Sequence, residues 1–160
     1  MIKNINDLQK AIEPYIITAM ELTGGVIYEK LKEKVDEYYL EKVFNEPNKS
    51  IPDVYQRTNN LKNSLFEPIV EKKGNVYSFS TGFENDYLTY EYPGKPTWKK
   101  NVPATGLDVL EWFNASMHGG TVKGEHDFWD ETIEEINMEY GGIENLFKQN
   151  CKNVGIPIIN

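Results

Sequence analysis

The spacing of apolar residues changes within the first ninety positions, from helical steps of three and four to near-alternation. That change excludes an all-α or all-β fold. Ile5, Leu8, Ile12, Tyr15 or Ile16, Ala19, Leu22 and Val26 recur with the helical period and predict a single apolar stripe. Asn6 followed by Gln9 has the spacing of a capping box, which sets the expected helix start. Pro14 removes a backbone donor and Gly24-Gly25 loosens the next stretch, so a kink or break is expected near one of them. Over 26–44 the stripe narrows to Ile27, Leu31, Val35 and Tyr38 among many charges, as in a helix leaning on a partner. The two prolines and several turn formers of 45–52 end it.

A short amphipathic segment, 55–65, reads as a turn and a little helix capped by Thr58. Residues 68–71, 76–83 and 87–92 are then β-branched or aromatic with near-alternation, separated by Lys73-Gly74-Asn75 and Glu84-Asn85-Asp86. They predict a three-stranded antiparallel meander. A capped helix is expected over 105–113 with Leu107, Leu110 and Phe113 on one face, a second over 127–140, and a third over 143–154 closed by Gly155. Residues 156–159 suit a short terminal strand. The expected class is α+β in a single domain of residues 1–160: a long N-terminal helix in a helical region 5–45, a sheet of about three strands in 66–92, and C-terminal helices in 105–154.

Charge and cysteine content narrow the function classes. Seventeen Lys plus Arg against 25 Asp plus Glu give a formal charge of −8, which disfavours wrapping nucleic acid with the whole surface. One cysteine, Cys151, leaves no intrachain disulfide and no thiolate cage. The N-terminal residues carry no apolar signal core, and the longest apolar run, 15–20, is too short for a bilayer, so a soluble protein made in a cytoplasm is expected, without membrane contact.

Few groups offer chemistry. Glu125, His126, Asp130 and Glu134, with His118 from the preceding loop, have helical spacing that could converge on a cation, but neither HExxH nor a cysteine pattern accompanies them. A solvated acidic helix face accounts for the same residues, and no metal or other cofactor is assigned. Cys151 with His118 or His126 would be a nucleophile and base, yet its amphipathic setting reads as a structural thiol. Glu131, Glu134, Glu135 and Glu139 could pair for acid–base work, and no phosphate loop is present. Lys95, Lys99 and Lys100 with Tyr92 and Trp98 form a basic aromatic cluster suited to anchoring a loop on a neighbouring surface. The aromatic content, 12%, favours an assembly protein, with a tightly packed core as the competing account.

Tyr55, Arg57, Thr58, Leu61 and Ser64 stand in a Y-x-R-T-x-x-L-x-x-S arrangement. This arrangement, followed by alternating strands, resembles that of small neck and tail-completion (head-tail joining) proteins of tailed bacteriophages and their prophages. Asn59 departs from the glycine that family often has after the threonine. Physically the motif suits a docking clip, in which Thr58 caps a turn, Leu61 and Leu65 face a core, Ser64 ends the turn and Arg57 is left to meet a carboxylate.

The resemblance implies a non-enzymatic virion structural protein at the head-tail junction or tail end, a homo-oligomeric ring bound to other neck and tail proteins. It would be found in the virion and, during assembly, in the host cytoplasm. Tyr55, Arg57, Thr58, Leu61, Ser64, Trp98, Lys99 and Lys100 are then the interface candidates. Glu131, Glu134 and Glu135 become candidates to face a channel that DNA transits without specific binding. A small acidic phage-encoded inhibitor of a host factor and a small metal-dependent hydrolase using His118, His126 and Asp130 are the competing expectations.

Overall fold

The computed structural model describes residues 4–40 (side chains through 38), 60–88, 105, 108, 110, 111 and 127–158. Their order is helix α1 (Ile5–Leu40), a helical turn α2 (Asn60–Asn63), strands β1 (Leu65–Lys73) and β2 (Val76–Phe83), a helical turn α3 (Asn85–Leu88), and helices α4 (Phe128–Tyr140) and α5 (Ile143–Asn153). The class is α+β, with the two strands forming an antiparallel sheet. The chain separates into two compact units, one of Met1–Lys30, Glu67–Thr81 and Asp130–Asn160, the other of Leu31–Phe66 and Gly82–Trp129.

In the first unit, α1 is capped by Asn4 rather than Asn6. The Asp7 amide donates to Asn4 Oδ1 at 2.9 Å. This leaves Gln9 to donate instead to Asn75 Oδ1 in the hairpin turn, at 3.1 Å. Neither Pro14 nor Gly24-Gly25 interrupts the helix, which is continuous for 36 residues. Contacts on both sides of Pro14 hold it: Gln9 on Asn75 and Glu13 on Lys72 before it, and the close approach at Gly24 after it. Gly24 has a packing role, since a Cβ there would lie 2.6 Å from Pro68 Cβ and 3.2 Å from Phe79 Cδ2. The missing side chain lets the hairpin settle directly on the helix backbone.

The single apolar stripe expected on this part of α1 divides into two faces. Ala19, Met20 and Ile27 are buried, whereas Ile5, Leu8, Tyr15 and Leu22 are 73%, 39%, 52% and 45% exposed. α5 joins the unit through a buried polar contact in which Asn150 Nδ2 donates to Thr23 Oγ1 at 3.1 Å and Thr23 Oγ1 donates to Ala19 O at 2.7 Å. Burial of those two side chains is compatible with stability because each finds a partner. α5 closes in a Schellman arrangement, with the Ile156 amide donating to Cys151 O at 2.8 Å and the Gly155 amide to Lys152 O at 3.0 Å. Gly155 has the positive φ, 92°, that this ending requires. Residues 156–158 are not a strand, since the Ile156 amide is committed to the helix end.

The described residues of the second unit share an apolar core. Leu31, Val35 and Tyr38 from α1 meet Leu61 of α2, Leu88 of α3 and Phe128 of α4, with Leu65, Phe83, Leu110 and Trp129 packed around them. Tyr38 and Phe128 are edge to face, their ring centroids 5.8 Å apart, a favoured aromatic geometry. Residues 85–88 form a helical turn instead of the turn and first residues of a third strand. This places Leu88 in the core beside Leu61. The remainder of that expected strand, 89–92, lies outside the described residues. Of the helix expected at 105–113, Thr105 and Asp108 form a reciprocal cap: the Thr105 amide and hydroxyl donate to Asp108 Oδ2 at 2.8 Å, and the Asp108 amide donates back to Thr105 Oγ1 at 3.3 Å. Among the described residues no helix is long and apolar enough to cross a membrane.

Candidate functional site

The described part of the Y-x-R-T-x-x-L-x-x-S segment is a fastening point of the second unit. Leu61 fills the core, and Ser64 is fully buried at the junction of α2 and β1. The Ser64 hydroxyl donates to Leu61 O at 2.7 Å and its amide to Asn60 O at 2.8 Å, while its carbonyl accepts from the Glu84 amide at 2.7 Å. One serine thereby ends the turn and continues the strand pair beyond β2. Lys62, beside it, bonds Asp36 of α1 at 2.6 Å. Leu61 and Ser64 therefore hold the chain's own fold together. The other interface candidates, Tyr55, Arg57, Thr58, Trp98, Lys99 and Lys100, lie outside the described residues.

The acidic face of α4 is less uniform than its sequence. Glu131 and Glu134 are exposed. Glu135 is half-buried and accepts a hydrogen bond from Lys30 Nζ at 2.7 Å; the same ammonium lies 2.6 Å from Glu139 Oε2. Hydrogen bonds from Lys30 to Glu135 and then Glu139 hold the ammonium well above its ordinary range. The Lys30 bond likewise holds the Glu139 carboxyl below the usual range, and the bond to Glu139 pushes the Tyr140 hydroxyl up. Two carboxylates clamped on one ammonium secure α4 to α1.

A second ion pair, Glu13 with Lys72, lies between α1 and the hairpin, with the Lys72 ammonium 5.3 Å from the centre of the Tyr77 ring. The bond to Lys72 lowers the Glu13 carboxyl and raises the lysine. Cys151 is buried, and burial pushes its thiol up, which disfavours the thiolate a nucleophile needs. Glu125, His126 and His118, three of the five residues weighed as a cation set from the sequence, lie outside the described residues. No group of metal-ligating side chains converges among the described residues.

The feature the sequence reading missed is the exposed face of α1. Leu8, Tyr15 and Leu22 are seven residues apart and alternate with Ala11, Thr18 and Gly25. That sevenfold repeat of large residues, offset from the buried stripe, was the available signal.

The extent of the chain is matched by one family model, YomN, over residues 4–153. The chain belongs to the YomN family. YomN is a phage-associated family, and the match spans α1 through α5, so it draws on both compact units. No curated protein and no solved structure gives a match.

Proposed function

We propose that this YomN-family chain is a non-enzymatic structural component of a tailed-phage or prophage virion, acting in a ring at the head-tail junction or the tail end. The observation that carries the reading is the phage-associated family match over residues 4–153. Along the same residues run a long helix, the Leu61–Ser64 fastening point, a small sheet and closing helices, with strands directly after the motif as in the neck-protein resemblance. The polar clusters that are described support it too. Lys30, Glu135 and Glu139 serve to join α1 to α4, and Glu13 with Lys72 joins α1 to the hairpin. In a ring whose axial channel is lined by α4, the exposed Glu131 and Glu134 repel passing DNA, while Glu135, already bonded to Lys30, contributes little to that field.

The test is electron microscopy of particles from a phage or prophage deleted for this gene, with complementation as control. Separate DNA-filled heads and finished tails are expected for a joint protein, and heads carrying tails of uncontrolled length for a tail-end protein. Normal, infectious particles would overturn the virion reading.

A further inference from the structure

The exposed face of α1 has the composition and charge order of a helix that pairs with a second copy of itself. Leu8, Tyr15 and Leu22 follow one another along the helix at about 10.5 Å intervals, the rise of seven residues. Ala11, Thr18 and Gly25 lie three positions after each of them and complete a seam of alternating large and small residues. Large and small residues are in the order that an antiparallel pairing requires. With the helices aligned about a twofold axis between residues 16 and 17, Leu8 meets Gly25 of the partner subunit, Ala11 meets Leu22 of the partner subunit, and Tyr15 meets Thr18 of the partner subunit. Every layer then matches one large side chain with one small one, in both directions.

Three further observations fit that register. Among the described residues a Cβ at Gly25 would meet nothing within 4 Å, so they give no packing reason for this glycine, in contrast to Gly24. The Thr18 hydroxyl donates to Pro14 O at 3.0 Å, so covering it strands no donor and presents its methyl group outward. Lys10 and Glu21, both exposed, are three turns apart on the same flank of the seam. In an antiparallel pair equal flanks face each other, which brings Lys10 toward Glu21 of the partner subunit, twice over. In a parallel pair unlike flanks face each other, so Lys10 lies on the side of the seam away from Glu21 of the partner subunit and the charge match is lost.

We propose that this face of α1 joins two copies of the chain in solution through an antiparallel, isologous helix pair. Such a pair closes on itself, so it is separate from the ring contacts of the virion reading and does not depend on them.

Sedimentation equilibrium of the full chain tests it. A reversible dimer is expected at about 50 µM. Leu22→Glu should weaken association by about 30-fold or more, because it sets a charge in a large-against-small layer beside the centre of the interface. Gly25→Leu should leave a folded monomer, because the added side chain is accommodated by the single chain and not by the pair. Lys10→Glu and Glu21→Lys should each weaken the dimer, and the two together should restore it. A monomeric wild-type chain, a dimer insensitive to Leu22→Glu and Gly25→Leu, or failure of the double charge exchange to restore association would each overturn the proposal. Particle morphology bears on the virion reading and solution mass on this one, so either can fail alone.

Discussion

Between residues 27 and 38, α1 buries Ile27, Leu31, Val35 and Tyr38 and surrounds them with Glu29, Lys30, Lys32, Glu33, Lys34, Asp36 and Glu37. Between residues 5 and 26 the same helix is less charged and carries apolar residues on two faces, of which the hairpin and α5 cover one. Both stretches obey helical spacing, and they differ in the number of apolar faces. The stretch 5–26 has more apolar surface than the described residues cover, so burial there is decided by what packs on the helix and not by its periodicity.

The sharpest way to break this contrast is to truncate one leucine in each stretch. Leu31→Ala opens a cavity in the core formed with Val35, Tyr38, Leu61, Leu88 and Phe128 and should cost about 2–5 kcal/mol in chemical denaturation. Leu22→Ala, measured in dilute solution where pairing contributes nothing, should change stability by no more than about 0.5 kcal/mol. Equal losses would mean that the two faces of α1 are not in different environments.

The adjacent glycines give a smaller effect with opposite signs. Gly24→Ala drives a methyl group into Pro68 and should destabilise by about 1–3 kcal/mol, since strand and helix backbones must separate to admit it. Gly25→Ala adds a side chain in open space and should stabilise the chain by about 1 kcal/mol through helix propensity. Thermal unfolding of both variants at equal, low concentration reads the difference. Two losses would show that Gly25 also has a packing role within the chain.

What the sequence made legible follows the same division. The class, the hairpin around Gly74, the helix 128–140, the burial of Leu31, Val35, Tyr38 and Leu61 and the packing of Leu65 against them come from local rules of period and turn chemistry. The continuity of α1 was illegible because Pro14 and Gly24 are tolerated for tertiary reasons, the clasp of Gln9 and Glu13 on the hairpin and the seat for Pro68. The helical turn at 85–88 was missed for a similar reason. Alternation in Tyr87 and Leu88 looks like strand, and only the core beside Leu61 turns Leu88 inward. At the acidic face, Lys30 is 105 residues from Glu135, too far apart in sequence for spacing to predict that a lysine of α1 would bind this glutamate and leave Glu131 and Glu134 exposed.

The smallest effect expected is also the one that depends on pH, and it separates the clamp on α4 from the apolar contacts. Lys30→Met removes the ammonium held by Glu135 and Glu139 and keeps most of the side chain's volume. Glu139 is lowered in the folded chain, so its share of the stabilisation is present above its ordinary value of 4.5 and is lost as pH falls through the depressed value. Lys30 is raised, so its share is fully present below its ordinary value of 10.5 and is lost only as pH rises through the elevated one. The melting temperature of wild type should therefore exceed that of Lys30→Met by most between those two limits, and the gap should narrow toward either extreme. Loss of the gap at both ends identifies an ion pair. A gap that persists unchanged into acid would overturn the ion-pair account, because protonation of Glu139 would then leave the contribution of the Lys30 ammonium untouched.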